Sequence, residues 1–345
     1  MGVDVHKLKR RSHMKKDNGK IKEIVEEIRT YPGLTRKKNI CLITETLQFV
    51  TNFGNTIVSF GEDAAAIYHR GEHLLFAAEG IWSGLIEANP YAAGKASVMA
   101  SVNDIYAMGG RPLAMVNVMG IPDNKYYEEI VSGIRKGCEK FRVPMVGGHL
   151  HPDTKEVSLS VSILGVAKKL LMSNNALEGQ DIVFAVDLEG RGYQCKPVLS
   201  WDTNSGKNSK QVLERLEVLP LLAEEELCRT AKDVSNGGLL GTVALLMETS
   251  EKGAVINIDN IPKPDAFHLI DWLKAFLSYG FVFCVDKDNT SEVIGQFSKK
   301  GVTARVIGEV AKERKIIISY QEQRDILFEL DKEAITGNVK KQMTT

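Results

Sequence analysis

The sequence predicts a mixed α/β fold divided into two domains. The chain has 345 residues, which is enough to bury a large core in more than one domain. Short apolar runs bounded by glycine, typical of strands, alternate with segments whose apolar residues recur at helical spacing. A polar passage, LLMSNNALEGQ, separates two halves that each mix strands with helices. We therefore expect a helical or flexible N-terminal segment (1–50), domains over 51–169 and 170–330, and a tail (331–345).

The N-terminal segment is expected to contain two helices. In IKEIVEEIRTY, four apolar residues fall at helical spacing between Ile21 and Ile28. Pro32-Gly33 should end this helix, and LTRKKNICLITETL predicts a second one. The first twenty residues carry seven Lys/Arg against two Asp, which is typical of a solvated, poorly ordered terminus. The alternatives are an arm that binds nucleic acid or membrane, and an arm that folds over a phosphate-bearing ligand.

The first domain is expected to begin with three strands, TIVSF, AAAIYH and HLLFAAE. A helix of small residues follows in YAAGKASVMASVNDIYAMGG, and Gly109, Gly110 and Pro112 should stop it. The remaining elements are expected in the order strand, helix, strand, strand: LAMVNVMGI, DNKYYEEIVSGIRKGCEKF, VPMVGG and VSLSVSILGVA.

The second domain is expected to restart with the strand DIVFAVDL. WDTNSGKNSKQ predicts a polar loop, and LPLLAEEELC and GGLLGTVALLMETS predict helices. AVINID, FVFCV and RVIGEV are expected strands, separated by helical stretches.

Composition argues against several classes of function. Lys+Arg and Asp+Glu both number 44, so the bulk charge predicts no nucleic-acid partner. No apolar run approaches the roughly 20 residues of a membrane span, and the N-terminus lacks the apolar region of a signal peptide. The five cysteines are far apart and form no CxxC pair, which indicates a reducing cytoplasm rather than disulfides or zinc. Cys195, in the expected loop GRGYQCKP, is the one cysteine that does not follow a core pattern.

Four acidic positions lie beside small residues at expected ends of strands or helices. They are Asp63 in GEDAAAI, Glu79 in AAEGI, Asp104 in VNDIYAMGG and Asp233 in AKDVSNGG. Carboxylates that converge repel each other and lose hydration unless a cation lies between them. Mg²⁺ prefers oxygen ligands and shares them with phosphates, so these acids are candidate magnesium ligands at a nucleotide site. The alternative is that each acid is a helix cap or turn residue.

Two glycine-rich stretches are candidate phosphate sites. VGGHLHP is expected to end a strand with a glycine turn, and SNGGLLG opens a helix whose N-terminus would favour an anion. Neither is a Walker A or a GxGxxG motif. His149 is expected either to contact a ligand or to hydrogen-bond within its loop. Lys95, in the helix before Asp104, is a candidate phosphate contact or a solvated helix lysine.

These motifs resemble those of the PurM-like superfamily in wording, order and spacing. NDIYAMGGRPLAMVNVMGIP, GEDAAAI, VGGHLHP and DVSNGGLLGT carry the resemblance, which runs from about residue 55 to 312. The superfamily includes aminoimidazole ribonucleotide (AIR) synthase, selenophosphate synthetase, thiamine-monophosphate kinase and the hydrogenase maturation protein HypE. Selenophosphate synthetase is similar in the wording of these motifs, and the whole sequence resembles the AIR synthase-related branch.

The resemblance implies an N-terminal α/β domain that pairs with its twin to form a shared β-barrel, and a C-terminal α/β sandwich. ATP and Mg²⁺ would bind in the cleft, with Asp63, Asp104 and Asp233 matching the family's metal aspartates. Asp63 and Asp104 are also the implied catalytic residues. Glu79 stands where the family usually has aspartate, and Glu62 is expected to lie behind the metal ligands. Contacts to the nucleotide are implied at Gly61, Asn103, Gly109, Gly147, Gly148, His149, Gly237 and Gly238.

Two named activities are disfavoured. Selenophosphate synthetase carries a reactive Cys or Sec near its N-terminus, but no cysteine precedes Cys41, which falls in a helix pattern. The GTDGVGTK-type segment of AIR synthase is replaced by AAEGIWSG. The prediction is an ATP- and Mg²⁺-dependent synthetase or kinase that phosphorylates or activates a small molecule. The alternative is a nucleotide-binding regulatory or partner protein without turnover.

The acceptor is expected to contact the polar segment 190–211. Arg191, Tyr193, Trp201 and Asp202 combine aromatic and charged groups that suit an anionic or amide ligand. The alternative is a surface loop without a role.

Overall fold

The computed structural model describes residues 19–51, 56–58, 60–122, 126–195 and 198–337. The predicted basic arm lies almost wholly outside the described residues, as does the end of the predicted tail. Within the described ranges, no helix is long and apolar enough to cross a membrane.

The described helices and strands alternate along the chain. The helices are α1 (19–29), α2 (Pro32–Thr35), α3 (Ile40–Leu47), α4 (Ser83–Ala88), α5 (Pro90–Ala107), α6 (Tyr127–Phe141), α7 (Ser209–Leu216), α8 (Val218–Glu224), α9 (Gly238–Ser250), α10 (Leu269–Lys274) and α11 (Lys287–Ser298). The strands are β1 (Thr56–Val58), β2 (Ala65–His69), β3 (Glu72–Gly80), β4 (Arg111–Gly120), β5 (Met145–His151), β6 (Ser158–Ala167), β7 (Asp181–Val186), β8 (Arg191–Cys195), β9 (Val198–Asp202), β10 (Thr230–Asp233), β11 (Gly253–Asn257), β12 (Phe276–Leu277), β13 (Gly280–Val285), β14 (Thr303–Ala311), β15 (Lys315–Tyr320) and β16 (Gln323–Glu329).

The first sheet has the strand order β1-β2-β3-β6-β4-β5. Its neighbours are antiparallel except β4 and β5, which run parallel because α6 connects them. Buried and more exposed residues alternate along β6, so one face of the sheet lies on a core and the other does not. The outer face of this sheet is not covered by another layer of the described chain, and it carries the exposed side chains Phe76, Val116 and Val118.

Helix α5 lies on the inner face of this sheet, and its small residues explain its close packing. Asn89 caps the helix by accepting a 2.9 Å hydrogen bond from the Ala92 N–H, and Pro90 begins it. A Cβ at Gly94 would lie 2.2 Å from the Ile130 carbonyl oxygen of α6, so glycine allows the two helices to touch by their backbones. Gly109 ends α5 with φ of +77°, as the sequence predicts.

The second sheet has the order β10-β13-β7-β14-β11-β15-β16 and is covered on both faces. Strand β7 shows why: Val183 and Ala185 belong to the core shared with α5 and α11, while Ile182 and Phe184 belong to the core beneath α9. This period-two alternation between two apolar environments produces an α/β sandwich. The two-domain α/β architecture predicted from the sequence is therefore confirmed.

A third sheet, β12-β9-β8, corrects one expectation. The segment 190–211 was expected to be a polar loop, but β8 and β9 form an antiparallel hairpin within it. Trp201 explains the difference because its side chain is buried and packs edge-on against Phe267 and Trp272. The packing of this aromatic side chain therefore stabilises a hairpin in a segment whose other residues are mostly polar.

The N-terminal segment is helical and packs on the second sheet. In α1, Ile21, Ile24 and Ile28 join the core beneath α9, as their spacing predicts. The predicted second helix is not continuous, because a 3₁₀ turn (Arg36–Asn39) separates α2 from α3. Pro32 begins α2 rather than simply ending α1, since proline is tolerated in the first turn of a helix.

Candidate active site

The four predicted acids line one cleft with a volume of about 920 Å³. Asp63 follows the Gly61 turn, whose φ of +102° favours glycine, and Glu79 lies near the end of β3. Asp104 is in the last turn of α5, and Asp233 is the last residue of β10. Elements from both sheets therefore bring together carboxylates that are far apart in the sequence.

Burial disfavours the charged forms of Asp104 and Asp233. The Asp104 side chain is buried in α5, and its Oδ2 has no hydrogen-bond partner among the described residues. Burial, then the charges of Glu79, Asp233 and Asp63, raise the pKa of Asp104 well above its usual range. Burial and the Asp63 charge likewise raise the pKa of Asp233 to about 8. A site that holds several carboxyl groups at this cost is arranged for a cation.

Two further acids follow the same pattern. Burial is the main cause that raises the pKa of Glu79, which also shares a side-chain hydrogen bond with Asp104. Burial raises the pKa of Glu62 too, although its Oε2 accepts a 2.7 Å hydrogen bond from the Ser173 N–H. Glu62 is therefore held by the backbone of the neighbouring segment, while Asp63 faces Lys232. Both adjacent acids line the cleft, but only Asp63 forms an ion pair with a lysine.

Two lysines that the sequence analysis did not single out supply positive charge. Lys232 of β10 forms an ion pair with Asp63 Oδ1, and both side chains are almost completely buried. Lys37, in the 3₁₀ turn before α3, lines the same cleft. Burial, then the Lys232 charge, lower the pKa of Lys37. A lysine inside the otherwise buried strand TAKD was the sequence signal for Lys232, since buried lysines require a partner.

The donor set fits Mg²⁺ in its chemistry. The cleft offers carboxylate oxygens, the ligands that this ion prefers, and the unpartnered Asp104 Oδ2 is available as one of them. Among the described residues, no three Asp, Glu, His or Cys side chains are placed as a complete ligand set. Mg²⁺ usually takes only part of its ligands from the protein and the rest from phosphate and water, so an incomplete set is compatible with it.

The opposite end of the cleft is lined by Lys95, Lys140 and Asp202. The Lys95 Nζ donates a 2.6 Å hydrogen bond to Ser205 Oγ and lies 4.0 Å from Asp202 Oδ2. Asp202 Oδ1 also accepts hydrogen bonds from the backbone N–H groups of Asn204 and Ser205, which fix its carboxylate. This end presents both signs of charge.

Only some of the predicted acceptor residues line the cleft. Asp202 and the edge of Trp201 line the cleft. Trp201 is mainly a core residue, and its Nε1 donates a 2.9 Å hydrogen bond to the Asp187 carbonyl. Arg191 is exposed on β8 and does not line the cleft. The side chain of Tyr193 lies outside the described part of the chain.

The predicted glycine turn at 147–149 is inside a strand. Gly147, Gly148 and His149 belong to β5, which pairs in parallel with β4, and they do not line the cleft. A Cβ at Gly148 would lie 2.5 Å from the Asn117 carbonyl oxygen. Glycine is therefore needed here for close pairing of the strands, and not to form a turn.

The other predicted nucleotide contacts occupy different positions. Gly61 lines the cleft, and Ser235 and Asn236, just before Gly237 and Gly238, do so as well. Gly238, with φ of +68°, opens α9 against the Leu273 carbonyl. Asn103 and Gly109 do not line the cleft. Asn103 is buried and donates a 3.2 Å hydrogen bond to the Ser278 carbonyl, so it ties α5 to the second domain.

The two α/β units and the acidic cleft that both line define a PurM-like protein. Residues 61–167 match the AIR synthase related protein N-terminal domain, and residues 189–321 match the C-terminal domain. The chain therefore belongs to the AIR synthase-related protein family.

Full-length relatives and a solved structure agree with this membership. An uncharacterized protein of Methanocaldococcus jannaschii is 42% identical over 322 residues, covering 92% of this chain and 99% of the relative. The thiamine-monophosphate kinase of Pyrococcus horikoshii is 26% identical over 307 residues, covering 84% and 94%. PurL of T. maritima, complexed with ATP, superposes with a TM-score of 0.67 and 19% identity over 84% of this chain. The matched region covers 52% of PurL, so this chain spans about half its length.

Proposed function

We propose that this protein is an ATP- and Mg²⁺-dependent enzyme that phosphorylates or activates a small molecule. The observation that carries the proposal is the buried, unpartnered Asp104 Oδ2 beside Glu79, Asp63 and Asp233 in a cleft that Lys37 and Lys232 also line. Proteins similar to this chain include a kinase and a protein complexed with ATP, which supports the same chemistry. Membership of the family supports the broader statement that the protein is an ATP-using enzyme.

The chain's own groups have distinct tasks in this proposal. Asp63, Glu79, Asp104 and Asp233 would hold Mg²⁺, which would neutralise phosphate charge during transfer. Lys37 lines the cleft as a half-buried cation and would bind a phosphate oxygen. Burial strengthens such a contact because little water competes with it.

The acceptor would bind at the end of the cleft that holds Lys95, Lys140 and Asp202. Asp202 is fixed by the turn that follows β9, and Lys95 is fixed by Ser205, so both charges are preorganised. The pair suits a polar acceptor that carries both a hydrogen-bond donor and an anionic group.

Calorimetry with ATP, in the presence and absence of Mg²⁺, tests the binding step. We expect Mg²⁺-dependent binding that Asp63→Asn weakens at least about tenfold, since the substitution removes one charged ligand. Asp265→Asn, an exposed substitution away from the cleft, is the matched control. No Mg²⁺-dependent binding, together with no effect of Asp63→Asn, would overturn the proposal.

A nucleotide-binding regulatory protein without turnover is the second candidate. It is favoured by one observation, that Asp63 is already paired with Lys232, a cation of this chain. The two candidates separate in a phosphate-release assay with ATP, Mg²⁺ and a panel of small amides, amines and carboxylates. Release that depends on one acceptor supports the enzyme, whereas tight ATP binding without release by any of them supports the regulatory protein.

We also propose that the protein is a homodimer through the first sheet. The face opposite α5 carries exposed Phe76, Val116 and Val118, with Val146 beside them. Apolar side chains gathered on one sheet face are typical of an interface. Pairing of two such faces would form the shared barrel that the family resemblance implies.

A further inference from the structure

Lys232 and Mg²⁺ compete for the same carboxylate. Lys232 is bound to Asp63 Oδ1, while the Asp233 N–H donates a 3.4 Å hydrogen bond to Asp63 Oδ2. Both oxygens of Asp63 are thus engaged by groups of this chain. A divalent ion placed on Asp63 would be a few ångströms from the ammonium group, where two cations repel strongly in a buried site.

Lys232 lies among acids at the edge of the cleft. Its Nζ is bound to Asp63 Oδ1, and the next residue of β10 is Asp233. Its side chain is 11% exposed, and it lines the cleft beside Ser235 and Asn236. The ammonium group therefore has a carboxylate partner on one side and open space on the other.

We propose that Lys232 is an exchangeable internal cation: it neutralises Asp63 in the empty cleft, leaves it when Mg²⁺ arrives, and then binds a phosphate of the nucleotide. This inference rests on the proposed ATP and Mg²⁺ site and adds a role for a residue of this chain. The long, flexible lysine stem allows the ammonium group to move while the backbone of β10 stays fixed. Once Mg²⁺ binds Asp63, the lysine loses its carboxylate partner, and the phosphate of the nucleotide supplies the negative charge that replaces it.

A permanent structural ion pair makes the opposite prediction. If Lys232 never leaves Asp63, then removing its charge leaves a buried carboxylate unpaired and destabilises the fold without changing how nucleotide binds. If the lysine exchanges, its removal frees Asp63 for metal and deprives the nucleotide of a contact. Metal affinity and nucleotide affinity should then change in opposite directions.

The test measures Mn²⁺ binding by electron paramagnetic resonance, without nucleotide, in wild type and three variants. We expect Lys232→Met to bind Mn²⁺ about tenfold tighter or more, because a competing positive charge is gone. Lys232→Arg should bind like wild type. Lys95→Met, at the other end of the same cleft, is the matched control and should change affinity by less than about twofold. Calorimetry at saturating Mg²⁺ should then show ATP binding to Lys232→Met weakened about tenfold.

Each outcome decides one part of the inference. Unchanged or weaker Mn²⁺ binding in folded Lys232→Met overturns the exchange. Tighter Mn²⁺ binding with unchanged ATP affinity overturns the phosphate contact. If Lys232→Met does not fold, Lys232→Gln replaces it, since the amide can still donate to Asp63 without the charge. If wild type binds no Mg²⁺-ATP, the proposed function fails, yet the Mn²⁺ comparison still tests whether Lys232 blocks the metal.

Discussion

Replacing Asp104 with asparagine should stabilise the empty protein and abolish its response to nucleotide. Asp104 is buried, lies beside Glu79, and has an oxygen without a partner among the described residues. Asparagine has nearly the same shape, carries no charge, and its amide can donate a hydrogen bond to the Glu79 carboxylate. The substitution therefore removes the cost of the buried acid and, in the same step, a proposed metal ligand.

The size of the stabilisation follows from the burial of the Asp104 carboxyl group without a full set of partners. Burial, then the charges of neighbouring carboxylates, raise the pKa of this group well above its usual range, because both disfavour its charged form. A buried polar group left without a partner costs about 1 to 3 kcal/mol. Asparagine reduces this cost, and we expect the free energy of unfolding to rise by about 1 to 3 kcal/mol.

Urea unfolding at pH 7, with and without saturating Mg²⁺-ATP, provides the measurement. Wild type should gain about 2.7 kcal/mol at a ligand concentration one hundred times its Kd, whereas Asp104→Asn should gain almost nothing. Asp265→Asn, the same change at an exposed turn, should stay within about 0.5 kcal/mol of wild type in both conditions. An empty Asp104→Asn protein that is less stable than wild type would refute the reasoning, because Asp104 would then be ionised and well paired.

Three further predictions concern other groups. Mg²⁺ affinity should rise between pH 6 and pH 8 and then level off, because Asp233, whose pKa is raised to about 8, must lose its proton to bind metal. Mg²⁺ titrations across this pH range measure the effect, and an affinity that does not change with pH would contradict it. Cys228 and Cys284 should not be alkylated by iodoacetamide in the native protein at pH 8, because burial raises the pKa of Cys228 to about 12 and that of Cys284 well above its usual range. Mass spectrometry measures the extent of alkylation, and rapid labelling would show that the structure opens around these two residues. Val118→Glu and Val146→Glu should each give monomers by light scattering, and dimers of both variants would exclude this sheet face as the interface.

The regular elements could be predicted because their patterns are local. Strand β7 reads as a continuous apolar run, and the structure buries it on both faces. The helix α5 reads as a small-residue segment with clear stop signals, and it ends at Gly109 as expected. The hairpin of β8 and β9 could not be predicted, since it depends on Trp201 reaching Phe267 and Trp272, which are more than sixty residues away.

The acids of the cleft could be proposed from sequence because each lies in a recognisable motif. Their convergence is tertiary information, and the structure supplies it for Asp63, Glu79, Asp104 and Asp233. The pairing of Lys232 with Asp63 could not be foreseen, because the two residues are 169 positions apart and no motif joins them. The glycines at 147–149 show the reverse error: glycine pairs permit turns, but they also permit close strand pairing, and only the partner strand decides.

One wall of the cleft comes from outside the two segments that match the family's domains. Lys37, Ile40 and Thr44, before residue 61, and Thr336, after residue 321, all line the cleft. These two ends of the chain hold each other, because the Cys41 N–H donates a 3.1 Å hydrogen bond to the Thr336 carbonyl.

The C-terminal end of this wall is in turn fixed to the second domain. The Glu248 carboxylate on α9 accepts hydrogen bonds of 2.6 and 3.2 Å from the Ile335 and Thr336 N–H groups. Asp63, Glu79, Asp104 and Asp233 lie within the two segments that match the family's domains, whereas Lys37 lines the same cleft from a segment that neither domain match includes. Substitutions of Lys37 should therefore alter nucleotide binding while leaving the packing of both domain cores intact.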